Sequence, residues 1–272
     1  MDRLKILMMA ALMFLAGSCS KSAGTGAGVQ VQLSLSGPAT RLALGEEESG
    51  TYPLRWQTGD RVSLNGVVSS PLSEELSGKG VAAFSFAAFS GSAPYKLLYP
   101  ASASGEIFLD GNTLGMYAYG TSLDEVFLMH HLCCGVRLSL TGDLSLASLT
   151  LSAPGGEKIA GRFVPSFTDG TLAELSGVNQ LTVDLAEPAA LSDIPQSFYL
   201  FFAPDTFSQG LSLQARNAAG TICREWRFAT GKTLVRGMLY LLPETAFSSR
   251  HWDDVCIVAL EGMSEEPINF VL

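Results

Sequence analysis

The 272-residue sequence predicts an all-β protein made of two antiparallel β-sandwiches in tandem, and three observations carry that reading. Apolar and polar residues alternate with period two in segment after segment, as strands with one covered face require. Turn signals interrupt the alternation at short intervals and leave no room for a long helix. One continuous apolar run, Phe198-Tyr199-Leu200-Phe201-Phe202, has the length of a strand covered on both faces, which belongs at the centre of a sandwich. With 47% hydrophobic and 16% charged residues, the chain has apolar mass for proper cores and is not a disordered polymer. Its net charge of -9, with no cluster of Lys and Arg, argues against nucleic acid as a partner. The same charge disfavours adhesion to anionic lipid through basic residues, so any membrane attachment needs another device.

That device is legible at the start of the chain. Residues 1–18 have the parts of an export signal: Arg3 and Lys5 in front, an uncharged stretch, then small residues. The stretch is shorter than the roughly 20 apolar residues a spanning helix needs. Leu15-Ala16-Gly17-Ser18-Cys19 resembles the bacterial lipobox, in which the cysteine is diacylated on sulfur, becomes the first residue after cleavage, and is then acylated on its new amine. Cys19 is therefore the expected lipidation site, and two or more acyl chains, each buried methylene contributing about 0.8 kcal/mol, suffice for stable anchoring. The alternative is a plain secretory signal cut near Gly17, with Cys19 an idle thiol. Residues 19–28, small and Gly-rich, read as a flexible tether.

Beyond the tether, Val29-Gln30-Val31-Gln32-Leu33-Ser34-Leu35 opens the first sandwich, expected over 29–121. A minor helix fits near 71–76. The boundary is expected near Tyr119-Gly120-Thr121-Ser122, after a Gly-rich passage, and the second sandwich over 122–246, with 247–272 a tail. Val136-Arg137-Leu138-Ser139-Leu140, the segment 146–151, Leu181-Thr182-Val183-Asp184-Leu185 and Leu211-Ser212-Leu213-Gln214-Ala215 are its half-buried strands. No internal repeat points to a solenoid or propeller.

Five pieces, in chain order, resemble the fimbrillin family, the lipoprotein-derived subunits of type V pili and their anchor or tip relatives. They are Ala39-Thr40-Arg41; Trp56-Gln57-Thr58-Gly59-Asp60-Arg61-Val62, like the family's Trp-x-x-Gly-Asp-x-Ile; Tyr95-Lys96-Leu97-Leu98-Tyr99-Pro100-Ala101-Ser102; Phe127-Leu128-Met129-His130-His131 before a strand that begins the second domain; and Phe198 to Pro204 followed by the Gly231-Lys232 turn. The match runs over about 29–243. It departs from the family where an aromatic should follow the Gly-Lys turn, since none appears until Tyr240, and the tail fits no pattern.

The resemblance implies two transthyretin-like, Greek-key sandwiches, a place at the outer membrane on the cell surface or in a fimbrium, and a pilus subunit or accessory component acting in adhesion. It implies partners of the same type, joined by strand exchange: a protease removes an N-terminal strand by cutting after an arginine, matched here by Arg41, and another subunit's strand fills the slot. A missing strand leaves unpaired amides and an apolar groove that a partner strand satisfies. Residues 255–260 are apolar enough to be a donor strand, or else a last strand paired within their own domain. The alternative function is a monomeric surface lipoprotein that captures a glycan or peptide, with a host or bacterial surface ligand.

No enzyme and no cofactor is expected. His130, His131, Cys133 and Cys134 are zinc ligand types, but along a strand they point to opposite faces, so no metal site is assigned. Gly231-Lys232-Thr233 lacks the earlier glycine and the βαβ context of a phosphate loop and reads as a hairpin turn. His251 has no nucleophile elbow to serve, and Asp253-Asp254 and Glu265-Glu266 read as solvated acids. Apart from Cys19, Cys133, Cys134, Cys223 and Cys256 are taken as buried free thiols, with a disulfide among them left open.

Overall fold

Strand formation follows the alternation closely. In the computed structural model, which describes residues 29–35, 43–44, 54–87, 89–110, 117–124 and 126–247, the first alternating segment is β1 (Val29–Leu35). It is followed by β2 (Ala43–Leu44), β3 (Leu54–Arg55), β4 (Ser63–Leu64), β5 (Val67–Val68), β6 (Val81–Phe86), β7 (Tyr95–Tyr99), β8 (Ile107–Leu109), β9 (Ala118–Ser122) and β10 (Val126–His131). The expected minor helix is a single 3-10 turn at Glu74–Leu76. Asn65 and Gly66, both at positive φ, form the two-residue turn that folds β5 back on β4, the geometry an Asn-Gly hairpin adopts.

Seven of these strands make one sheet in the order β5-β4-β7-β9-β10-β1-β6. Its covered face is regular: Ala82, Phe84 and Phe86 of β6 and Phe127 and Met129 of β10 are buried while the residues between them are exposed. Trp56, fully buried, fixes the shape of this sheet. Its ring lies 4.9 Å from Phe84 on β6 and 5.3 Å from Tyr99 on β7, both edge-on. Three strands separate β6 from β7, a span of about 19 Å in a flat sheet at the usual strand spacing. One indole can touch both only because the sheet rolls around it.

The second half contributes β11 (Cys134–Gly142), β12 (Ser145–Ser152), β13 (Ala160–Pro165), β14 (Leu172–Val178), β15 (Gln180–Ala190), β16 (Gln196–Phe202), β17 (Asp205–Phe207), β18 (Ser212–Arg216), β19 (Ile222–Arg227), β20 (Lys232–Leu234), β21 (Leu239–Leu241) and β22 (Thr245–Phe247). One sheet runs β16-β11-β21, with β22 also on β11, and another runs β15-β12-β18-β19. Trp226 of β19 meets Phe247 of β22 at 5.9 Å, so the two sheets close over a shared core. The fold is all-β, as expected, and no α-helix occurs among the described residues.

Four expectations need adjustment. The sheets are not purely antiparallel: β1 lies parallel to β10, and β21 and β22 lie parallel to β11. These pairs join strands far apart in sequence, where no hairpin dictates direction. The stretch 119–122, where the boundary was expected, lies within β9, which pairs with β10 in the first sheet. Sheet membership changes later, between His131 and Cys134, and β8 crosses the divide to pair with β13. Gly231, at φ 71°, makes a turn as expected, but it is no hairpin, since β20 pairs with β17 and not with β19. The Phe198–Phe202 run is half-buried at Phe198 and Tyr199 and fully covered only from Leu200 onward.

Gly142 ends β11 against β22. Its φ is 136°, and a Cβ there would stand 1.7 Å from the Phe247 carbonyl oxygen. Gly142→Ala is expected to push β22 off β11 and lower the urea midpoint by an amount equivalent to about 1–3 kcal/mol, measured by equilibrium unfolding.

Candidate functional site

The position of β1 is the feature that sets the first sheet apart. It stands between β6 and β10, antiparallel to the first with six paired residues and parallel to the second with four. Among the described strands it is the only partner of β6, which forms the sheet's edge. The register is informative. Val29, Val31 and Leu33 stand opposite Phe86, Phe84 and Ala82 on β6, while Leu33 and Leu35 stand opposite Phe127 and Met129 on β10. All five of these partners are at most 2% exposed. The register thus sets the apolar positions of the first alternating segment opposite buried positions on both neighbours. Removing β1 would therefore leave two rows of unpaired backbone groups over an apolar floor.

The Trp-Gln-Thr-Gly-Asp piece braces this region from beneath. Gly59 takes φ 86° at the third position of a turn closed by the Asp60 N–H on the Gln57 carbonyl at 3.1 Å. The Asp60 carboxylate locks it, accepting from the Gln57 N–H at 2.8 Å and from the Tyr99 hydroxyl at 3.0 Å. Tyr99 is the end of the Tyr95-to-Tyr99 strand, so the turn ties the Trp56 segment to the middle of the sheet.

Where the two halves meet, Arg236 reaches across from the second. Its guanidinium lies 5.6 Å from the Tyr119 ring centre and donates to the Tyr119 hydroxyl at 3.2 Å and the His131 carbonyl at 3.4 Å. Gly170 makes this possible, since a Cβ there would stand 2.4 Å from Arg236 Nη1. Lys96 over the Phe167 ring and the Thr121 hydroxyl on the Phe167 carbonyl add to the same seam. β10, which flanks β1, is thus held from the other side.

Beside the seam lies a cleft of about 750 Å³, lined by Glu157, Asp169, Glu174, Asp205, Lys158 and Arg236 together with apolar groups. Its aromatic lining is Phe163, which is buried, so it offers no exposed ring for a sugar to stack on. Hydrogen bonds from Ser166 and Thr171 pull the Asp169 carboxyl down to about 2, and Ser208 lowers that of Glu157. Asp169 is therefore expected to add stability in full above about pH 4 and to lose it as pH falls from there toward 2. Asp169→Asn should flatten urea midpoints across that window, read by titrating the unfolding midpoint in both proteins.

His130 is exposed and His131 buried, on opposite sides of β10, and no group of three or more His, Cys, Asp and Glu among the described residues could hold a metal. Cys133, Cys134 and Cys223 are buried free thiols. Burial raises all three, Cys133 to about 12 and Cys223 to about 11. Cys19, Arg41, His251, Cys256, Asp253, Asp254, Glu265, Glu266 and the 255–260 segment lie outside the described residues.

No family model matches the chain, and no curated protein matches it in sequence. Among solved structures, the chain is similar to a candidate cell adhesion protein from Bacteroides ovatus, with a TM-score of 0.53 and 12% identity over 92% of this chain and 99% of that one. A candidate cell adhesion protein from Bacteroides uniformis aligns with a TM-score of 0.46 at 12% identity over 81% and 93% of the two chains. The tip fimbrial protein Mfa3 from Porphyromonas gingivalis aligns with a TM-score of 0.36 at 8% identity over 79% and 94%. The first of these shows that the fold is shared along nearly the whole of both chains.

Proposed function

We propose that this chain is a lipid-anchored surface protein of the fimbrillin type, a pilus subunit or accessory component that acts in adhesion and assembles by strand exchange at the β1 slot. The observation that carries the reading is the placement of β1: an N-terminal strand, second from the sheet's edge, whose apolar positions register with a fully buried floor. Arg41 falls between the end of β1 at Leu35 and the start of β2 at Ala43, so a cut after it separates β1 from everything that follows. The fold shared with a candidate cell adhesion protein supports the same reading.

The other end of the chain suits a donor. β11 leaves the first sheet directly after β10 and runs for nine residues, about 30 Å at the usual rise. β22 pairs parallel to its last residues, so the described part of the chain ends beside the C-terminal end of β11. A donor from the C-terminal end of one chain and an N-terminal strand slot on the next use two different surfaces, and such head-to-tail contacts extend into fibres. Cys19 anchors the unassembled chain through its acyl groups. The role is structural and adhesive, not catalytic.

The experiment is to trim purified mature protein with an arginine-specific protease and run it unboiled in mild detergent. A ladder of multimers, with a new N-terminus at Leu42, is the expected result. Persistent monomers after verified cleavage would turn the assignment toward the monomeric binding protein, for which the 750 Å³ cleft is the place to look for a ligand. Lipidation is read separately, from incorporation of labelled fatty acid into wild type and not into Cys19→Ala.

A further inference from the structure

Among the described strands, the small sheet β14-β13-β8 ends at β14 and at β8, and on each a side chain meets backbone groups. In β8, Ile107, Phe108 and Leu109 stand opposite Phe163, Arg162 and Gly161 of β13. In an antiparallel ladder, alternate residues turn both main-chain groups toward the partner and the others turn both away. Phe108 is the one turned away, because its N–H and C=O both meet the hydroxyl of Tyr117: the oxygen accepts from the N–H at 3.4 Å and the hydroxyl donates to the carbonyl at 2.8 Å. In a strand of three residues this is the whole of the outward-facing pair, so one phenol closes the edge. On β14 the Glu174 carboxylate accepts the Gly177 N–H at 3.0 Å in the same manner.

The β8 edge is one that pairing would reward. Phe108 is 52% exposed, and Val164 on the neighbouring strand is exposed as well. An outward residue with one free donor and one free acceptor is self-complementary: two copies of β8, antiparallel, would set Phe108 opposite Phe108, each N–H on the other's carbonyl, about a two-fold axis. The two exposed rings would then bury each other's surface.

We propose that Tyr117 is a plug on the β8 edge, which keeps a second copy of this chain from pairing there through Phe108. Its phenol supplies a donor and an acceptor in one atom, the only arrangement by which a single hydroxyl satisfies both main-chain groups. The consequence is selectivity. In a protein that holds a strand slot elsewhere, the plug confines strand pairing to that slot and removes an unproductive two-fold contact that could not grow into a fibre.

The test uses the untrimmed mature chain, so that β1 fills its own slot, and compares wild type with Tyr117→Phe by sedimentation over a range of concentrations. Wild type is expected to stay monomeric where Tyr117→Phe dimerises, with self-association strengthened at least tenfold. Adding Phe108→Pro to Tyr117→Phe removes the outward N–H and should restore the monomer, as proline does on an edge strand. A Tyr117→Phe protein as monomeric as wild type, or a dimer that proline does not reverse, overturns the proposal. Should Tyr117→Phe not fold, hydrogen exchange on wild type decides: the Phe108 amide is expected to exchange at least tenfold slower than an unstructured peptide, and an unprotected amide overturns it.

Discussion

A chain lacking residues 29–35 is expected to lose the cooperative unfolding of its first sheet, and a synthetic peptide of that sequence, added in trans, is expected to restore it. β1 is not a peripheral strand. It carries ten register pairs on two neighbours, and without it β6 has no strand partner among the described residues. At about 1 kcal/mol net per backbone hydrogen bond, the ladder alone is worth several kcal/mol. That sum is already a large part of the margin of about 5–15 kcal/mol that holds a domain together. The peptide must repay about 1–2 kcal/mol of backbone entropy for each residue it orders, so rescue should need high concentration and the correct alternation. A control peptide with Val31 and Leu33 replaced by Asp has the same backbone and should fail. The measurement is a denaturant midpoint with and without peptide. An undiminished midpoint in the shortened chain would remove the physical basis for exchange at this slot.

Trp56→Ala is expected to be the most damaging single substitution, lowering stability by about 3–5 kcal/mol in equilibrium unfolding, the range for a buried aromatic cut back to its Cβ. The size follows from what the indole touches. Phe84 and Tyr99 come from strands that only the roll of the sheet brings together, so the cavity would open at the centre of the curvature and not at one wall. Trp56→Phe should cost less, because it keeps an edge-on ring in part of the space. The Asp60 turn should weaken with it, since Tyr99 is shared by both.

Strands were legible from period two where one face is covered and the other wet: β1 is the segment of residues the alternation marks, and β6, β10 and the middle of β11 follow the same rule. What alternation does not carry is pairing. Nothing in Gln32 or Val126 says that they are neighbours, and the parallel β1–β10 contact depends on a roll that brings the start of the chain back beside residue 126. Gly120, at the expected boundary, marks close approach within a strand, with Met129 and Leu128 atoms 3.0 and 3.1 Å from where its Cβ would be. Asn65-Gly66 was a strong hairpin signal that the strand pattern passes over, because its flanks are two residues long. Tyr117 gave no signal at all, since a phenol on a strand edge is visible only once the edge exists. The proposed slot was legible only in part: the alternation of 29–35 and the Arg41 position stand in the sequence, while the buried residues that β1 registers with do not.

The rolled sheet also gives the molecule an intrinsic optical gauge. Trp56 sits dry at the axis of the curvature, 0% exposed, and the strand that closes the roll next to β6 is the one that exchange would replace. Uncurling should wet the indole and shift its emission to the red, and insertion of a new strand should shift it back. With Trp226 and Trp252 changed to Phe, that single fluorophore would report the proposed strand exchange without any added label.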